Sequence, residues 1–400
     1  MQSLSVNDFQ LPEWATENQA SAMEQSLSRA SMPGFISFAL GLPALDFFPV
    51  TSLQKVFNEV LALGHSVLQY KPPIQELKSQ IKQIMAIRGV TCHEDQIILT
   101  SGAQQGISII TRLLLQKNST VIVEELVYPG LLQAIKPLNP KILTVKTDSA
   151  SGIDVSAVEA ILKQGTRPAF LYLVSDGGNP SSVSLSNEKR KYLAMLSQRY
   201  GMPIIEDDPY GFLNYVEQQA PLKKYGGDWV FYIGSFAKLL APSLRVGWIV
   251  APACMVGNLS SIKESSDINM ATFNHHLVNA LLKELQFEHH IQQLQNQYLK
   301  RRNIITNALI QHFPADVGFT PPNCGFFIWM NLHQQINTSV LLDKALEHKV
   351  AFIPSEAFAA TKEVRTYNGM RINFSNPKED EIDEGIRRLS LAYQSIVRSK

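Results

Sequence analysis

Only three cysteines occur in the 400 residues, Cys92, Cys254 and Cys324, spread singly and without a C-x-x-C. That excludes a disulfide framework and a thiolate zinc site, and it fits a reducing, cytoplasmic setting. An excess of charge is also missing: 36 basic against 35 acidic side chains give +1, so no global field would attract nucleic acid or an anionic membrane. From Met1 to Ser21 there is neither a basic run nor a continuous apolar stretch, and nowhere do 18 apolar residues follow one another, so no leader and no membrane span are expected. The nine histidines include the pairs His275-His276 and His289-His290 but no H-E-x-x-H. Adjacent helical residues point to different sides, so these pairs are read as helix-surface or interface residues with no metal implied.

What is present begins with length. At roughly 150 residues per domain, 400 residues imply two or three domains with a large core. The hydrophobic share of 45% is ordinary, whereas 18% charged residues is below the usual ~25%, which suggests much buried surface, a subunit interface included. From Asp95 onward, short apolar runs (96–100, 120–123, 169–174, 203–205, 230–233) alternate with helical-length segments. This rhythm predicts an α/β architecture: a large domain with a mostly parallel mixed sheet between helices. The run Val246 to Pro252 is expected to return antiparallel beside Val230. Spacings of three and four from Asn274 to His312 predict one long amphipathic helix or two in sequence. Strand-like pieces at 325–332, 350–354 and 370–374, then a helix with Ile382, Ile386, Leu389, Tyr393 and Ile396 on one face, predict a smaller α+β domain. The division is therefore 1–50 for a segment contributing to the small domain and the substrate entrance, 51–300 for the large domain and 301–400 for the small one.

Polar or glycine-containing text follows four of the runs, at Ser101-Gly102-Ala103-Gln104, Ser175 to Asn179, Glu206-Asp207-Asp208 and Gly234 to Lys238. In open α/β sheets, ligands bind at the carboxyl ends of the strands. Ser101 to Gln104 opens a helix whose free N–H groups suit a phosphate, though a plain strand-to-helix turn reads equally well. Asp207, followed three residues later by Tyr210, is a carboxylate near a strand end, where a helix cap is the blander alternative. Ser235, Lys238 and Arg245 set a hydroxyl, an amine and a guanidinium within eleven residues among apolar neighbours. Burial beside another cation lowers a lysine pKa and makes the amine a nucleophile toward carbonyl carbon; a snorkelling surface lysine is the alternative.

Taken in order, Phe38-Ala39-Leu40-Gly41-Leu42-Pro43, Leu99 to Gly106, Asn179-Pro180, Asp207-Asp208-Pro209-Tyr210, Ser235-x-x-Lys238 and Met370-Arg371-Ile372-Asn373-Phe374 resemble the fold-type I pyridoxal-phosphate enzymes. Within them the chain resembles the class I/II aminotransferases, in the branch with 2-aminoadipate and aromatic amino-acid aminotransferases. The resemblance implies pyridoxal 5'-phosphate as cofactor, with amino acids and 2-oxo acids as substrates. Lys238 would form the Schiff base with the cofactor aldehyde and move the substrate proton. Asp207 would accept the ring N–H, so that the ring acts as an electron sink. Tyr210 and Asn179 would bond the ring oxygen, and Tyr128 would stack on the ring. Gly102, Ala103, Gln104, Ser235 and Arg245 would hold the phosphate, with Tyr70 reaching it from a neighbouring subunit in a homodimer. Arg371, with Gly41 and Asn179, would hold the substrate carboxylate.

The chain departs from this pattern at Leu40, where a glycine is usual, and at Lys71 to Glu76, where the tyrosine loop is short. It departs again at Gly177-Gly178, where bulkier residues are common and a roomier pocket is expected. At Glu24 an acid stands where an arginine for acidic substrates is often found, so an amine or hydroxyl-bearing side chain is the expectation there. The same frame supports lyase, decarboxylase and condensing reactions. A non-catalytic effector-binding domain of a transcription regulator is a further alternative, opposed by the acidic character of residues 1–50.

Overall fold

The computed structural model describes residues 12–16, 34–333, 336–364 and 368–398. Its centre is a seven-stranded sheet: β1 (Ile97–Thr100), β2 (Thr120–Glu124), β3 (Lys141–Val145), β4 (Phe170–Val174), β5 (Ile204–Asp208), β6 (Val230–Ser235) and β7 (Gly247–Val250), in the order β1-β7-β6-β5-β4-β2-β3. Strands β3, β2, β4, β5 and β6 run parallel, whereas β7 is antiparallel to both β6 and β1. The sheet is thus mixed and mostly parallel, and Val246 to Pro252 does return beside Val230. The central strands β4, β5 and β6 are buried along their whole length, as expected when helices cover both faces. Their alternation separates two clusters. Phe170, Tyr172, Val174 and Ile205 face one, and Leu171, Leu173 and Ile204 face the other. Strand β3 was not anticipated, because its text at the sheet edge leaves residues 141–144 partly or fully exposed and shows little apolar contrast.

A smaller four-stranded sheet contains Phe327–Asn331 paired antiparallel to Gly369–Asn373, and the helix Glu379–Arg398 packs its apolar face on the same cluster. Segment 36–48 links the two regions. Ile36 and Phe38 belong to the small cluster, and Ala44 lies in the large one.

The stretch read as one long helix or two is two, Thr272–Leu285 and Phe287–His312, divided at Gln286 in the left-handed conformation (φ 51°). The second helix runs unbroken through the 300/301 division. It places Ile291, Leu294 and Tyr298 in the large cluster, and Ile305, Ala308 and Leu309 in the small one. The histidine pairs need correction. His275 and His290 are buried, and His290 Nε2 lies 2.7 Å from the Leu239 carbonyl oxygen. Burial holds the His275 imidazole down at about 4, a neutral ring packed in the core.

Candidate active site

The carboxyl ends of β1, β4, β5 and β6 meet the small sheet and segment 39–42 around a cavity of about 300 Å³. Ala103, Gln104, Tyr128, Asn179, Asp207, Tyr210, Ser235, Lys238 and Arg245 all line it, together with Gly41 and Arg371. Residues more than 300 positions apart in the chain thus converge on one space.

Asp207 and Asp208 end β5 and cap no helix. Asp207 is 3% exposed; its Oδ2 accepts a hydrogen bond from the Tyr172 hydroxyl at 2.8 Å, while Oδ1 is buried with no partner. Burial pushes its carboxyl up to about 7, with Asp208 adding to the rise and Tyr172 opposing it. Lys238 follows β6, and its Nζ donates to the Gly41 carbonyl at 2.6 Å. Burial, with the Arg371 and Arg245 guanidiniums, pulls its amine down to about 8. The snorkelling alternative is therefore set aside.

The helix Ala103–Leu114 begins at Gly102, whose φ of +85° suits glycine, and its first-turn N–H groups have no intrahelical partners. A Cβ at Gly102 would lie 2.6 Å from Arg245 Nη2, so the bare glycine admits the guanidinium. Arg245 also donates to the Ser101 carbonyl at 2.7 Å. The result is a cationic and N–H-rich end to the cavity. At the other end Arg371, 1% exposed, donates to Asn179 Oδ1 and to the Ala39 carbonyl, each at 2.6 Å. Its guanidinium lies 4.1 Å from the Phe327 ring centroid and 4.8 Å from that of Phe358. Burial lowers it to about 10, still cationic at neutral pH. Tyr210 stands edge-on to Phe326 and Phe327, its phenol held above the ordinary range by burial.

Tyr70 lies apart from this cavity: it is 72% exposed and lines an open groove with Lys71, Pro72 and Ile268. Glu24 lies outside the described residues. The roomier pocket expected from Gly177 and Gly178 is not found. Neither lines the cavity, and a Cβ would meet the Cys324 carbonyl oxygen at 2.9 Å or Ser181 Oγ at 2.5 Å, so protein fills the space beside them. Leu40 does line the cavity and packs in a cluster with Ala351, Ile353 and Phe358.

Sequence reasoning missed Tyr172 and a buried charge cluster behind Asp207. Arg88 Nη2 reaches Asp176 at 2.8 Å and Asp208 at 3.0 Å, and Arg190 reaches Asp176 at 2.6 Å. Tyr232 donates to Asp208 at 2.9 Å, and Gly211 N–H donates to its other oxygen at 2.7 Å. Arg88 also donates to the Gly211 carbonyl, which anchors the turn carrying Tyr210. The signal for Tyr172 was a lone phenol in an otherwise apolar strand. Arg88 and Arg190 sit in unremarkable helical text and gave none.

The model of the aminotransferase class I and II family matches residues 35–389. The chain is 32% identical over 382 residues to aromatic-amino-acid aminotransferase 1 of Thermococcus litoralis, covering 93% of this chain and 91% of that one. It is 31% identical over 387 residues to the 2-aminoadipate transaminase of Thermus thermophilus, covering 95% of each. Among solved structures, the alpha-aminoadipate aminotransferase of Thermus thermophilus, complexed with N-(5'-phosphopyridoxyl)-L-leucine, superposes with a TM-score of 0.90 at 30% identity, covering 98% of both chains. Family and architecture agree with the cavity's chemistry, and the chain belongs to the class I and II aminotransferases of fold type I, a family that implies pyridoxal phosphate.

Proposed function

We propose that this aminotransferase works with pyridoxal 5'-phosphate in the cavity at the strand ends, moving an amino group between an L-amino acid and a 2-oxo acid in a ping-pong sequence. The observation that carries the reading is the unpartnered, buried Oδ1 of Asp207 in the same cavity as the depressed amine of Lys238. A buried carboxylate oxygen without a donor is costly unless a ligand supplies one, and a protonated ring nitrogen is such a donor. The residues fit the cofactor: Gly102, Ala103, Gln104, Ser235 and Arg245 suit its phosphate, Asp207 its ring nitrogen, Tyr210 and Asn179 its ring oxygen, and Tyr128 its face. When bound, the cofactor supplies an electron sink for charge developing at the substrate Cα.

The chain's own residues do the rest. Lys238, with an amine near 8, is partly neutral at physiological pH, so it can attack a carbonyl carbon and later take and return a proton at the substrate Cα. Arg371, fixed between two rings and bonded to Asn179, offers its guanidinium to the substrate carboxylate. A carboxylate held there is badly placed to leave, which favours transamination over decarboxylation. Relatives that are 30% or more identical carry aminotransferase names, whereas the matched transcription regulators stand at 29% and below, which favours the enzyme over the effector-domain alternative. Tyr70 lies outside the cavity of its own chain, and we assign it to a neighbouring subunit's phosphate in a cytoplasmic homodimer.

The test is the absorbance of the purified chain with added pyridoxal phosphate. A long-wavelength band should form in the wild type, be absent in Lys238→Ala, and disappear on addition of suitable L-amino acids. No band in the wild type would overturn the cofactor assignment, and release of carbon dioxide instead of amino transfer would overturn the reaction.

A further inference from the structure

Strands β4 and β5 pair in parallel register, Tyr172 opposite Ile205 and Val174 opposite Asp207. Alternation puts Tyr172 and Asp207 on the same sheet face, two positions apart along adjacent strands, within reach of a long phenol but not of a shorter side chain. The hydroxyl takes Oδ2 at 2.8 Å. A carboxylate pinned at one oxygen has only one orientation left, and its free oxygen is the one with no partner. Tyr172 is itself 1% exposed and sits outside the cavity lining, so it cannot touch a ligand directly.

We infer that Tyr172 is a positioning residue: its hydroxyl anchors Asp207 Oδ2, thereby turning Oδ1 toward the cofactor's ring nitrogen and keeping the carboxyl an acceptor. The inference rests on the cofactor reading given above. Two further observations support it. Desolvation drives Asp207 toward its neutral, proton-carrying form, and the Tyr172 hydrogen bond works against that drive. Asp208, which also disfavours the charge on Asp207, has partners of its own in Arg88, Tyr232 and Gly211 and offers Asp207 no donor. Tyr172 is therefore the only side chain seen donating to Asp207 among the described residues.

The experiment titrates the apo chain with pyridoxal phosphate and, separately, with its 1-deaza analogue, in which carbon replaces the ring nitrogen. Both can react with Lys238 and both carry the phosphate, so only the nitrogen contact differs. Tyr172→Phe should weaken pyridoxal phosphate binding by at least about tenfold, the worth of a hydrogen bond to a charged group, and leave analogue binding unchanged. Equal weakening of both compounds, or of neither, would overturn the inference, because a packing role does not distinguish nitrogen from carbon. In an Asp207→Asn background, where no carboxylate remains to be held, adding Tyr172→Phe should change neither affinity, and a further tenfold loss would also overturn it. If the wild type binds neither compound, the cofactor reading itself fails and this inference with it. If the wild type binds both and Tyr172→Phe does not discriminate, only the inference fails.

Discussion

Asp207 and Asp208 are adjacent in the chain, equally buried, and treated in opposite ways. Asp208 belongs to a cluster in which charges are matched: Arg88 and Arg190 balance Asp176 and Asp208, and a phenol and a backbone N–H complete the set. Asp207 faces the cavity, where a carboxylate oxygen has no donor and Lys238 and Arg371 are held below their usual proton affinities. One region matches its charges as folded. The other is complete only with ligands. Natural proteins concentrate such incompleteness where they act, because a preorganised polar site costs stability that binding returns.

The sharpest way to break this contrast is Lys238→Ala. Loss of the amine should lower amino transfer by about ten-thousandfold, the upper range for losing an acid–base group, while the apo chain's thermal midpoint stays level or rises. A large drop in that midpoint would mean that Lys238 belongs with the structural charges after all. The mirror experiment is Asp176→Ala, which strands Arg190 and part of Arg88 in a buried site. We expect a loss of about 3–5 kcal/mol in unfolding free energy, measured in urea, with the substrate KM of the folded fraction unchanged. A shift of less than about 1 kcal/mol would deny the cluster its structural role, since even an exposed pair reaches that value.

Arg371→Leu should reduce kcat/KM for amino donors at least about thirtyfold, mainly through KM, as expected when a charged hydrogen-bonded partner is truncated. Its effect on folding should be small, because the arginine's removal relieves a buried cation. Unchanged KM would take the carboxylate away from this residue.

The smallest effect concerns pH. A carboxyl at about 7 in the folded apo chain and near 3.8 unfolded binds its proton more tightly when folded. Its contribution is present at low pH and is lost as pH rises through the window from about 4 to about 7. Apo Asp207→Asn should thus match the wild type at pH 4 and exceed it increasingly up to pH 7, after which the gap is constant. Glu124 and Glu206, also raised by burial, are common to both chains and cancel in the difference. A gap that is flat from pH 4 to pH 8 would place the Asp207 proton elsewhere.

Much of this contrast could be read from the chain, and the unread part has a common cause. The strand rhythm and the text at the strand ends pointed to the α/β sheet and to the loops around the cavity, because periodicity and turn chemistry are local properties. Lys238, Asp207 and Arg371 could be named because each sits in a short, specific string. Tyr172, Arg88 and Arg190 could not, since what they do depends on strand register and on partners at distances of 14 to 123 residues along the chain. Gly177 misled for the same reason. A missing side chain suggests room, yet the carbonyl of Cys324 arrives from far along the chain to fill it, and at Gly178 the local turn at 181–183 folds back to do the same.

The helix Phe287–His312 carries a consequence for how the molecule comes apart. Its 26 residues, a rod of about 39 Å at 1.5 Å per residue, are rooted in both hydrophobic clusters. Melting one cluster would fray the half of the rod that the other needs, so the two regions should share one denaturation transition, with hydrogen exchange along residues 291–309 slowing to the rate of global opening. Two separated transitions in urea would show that the rod is a hinge and the regions fold independently.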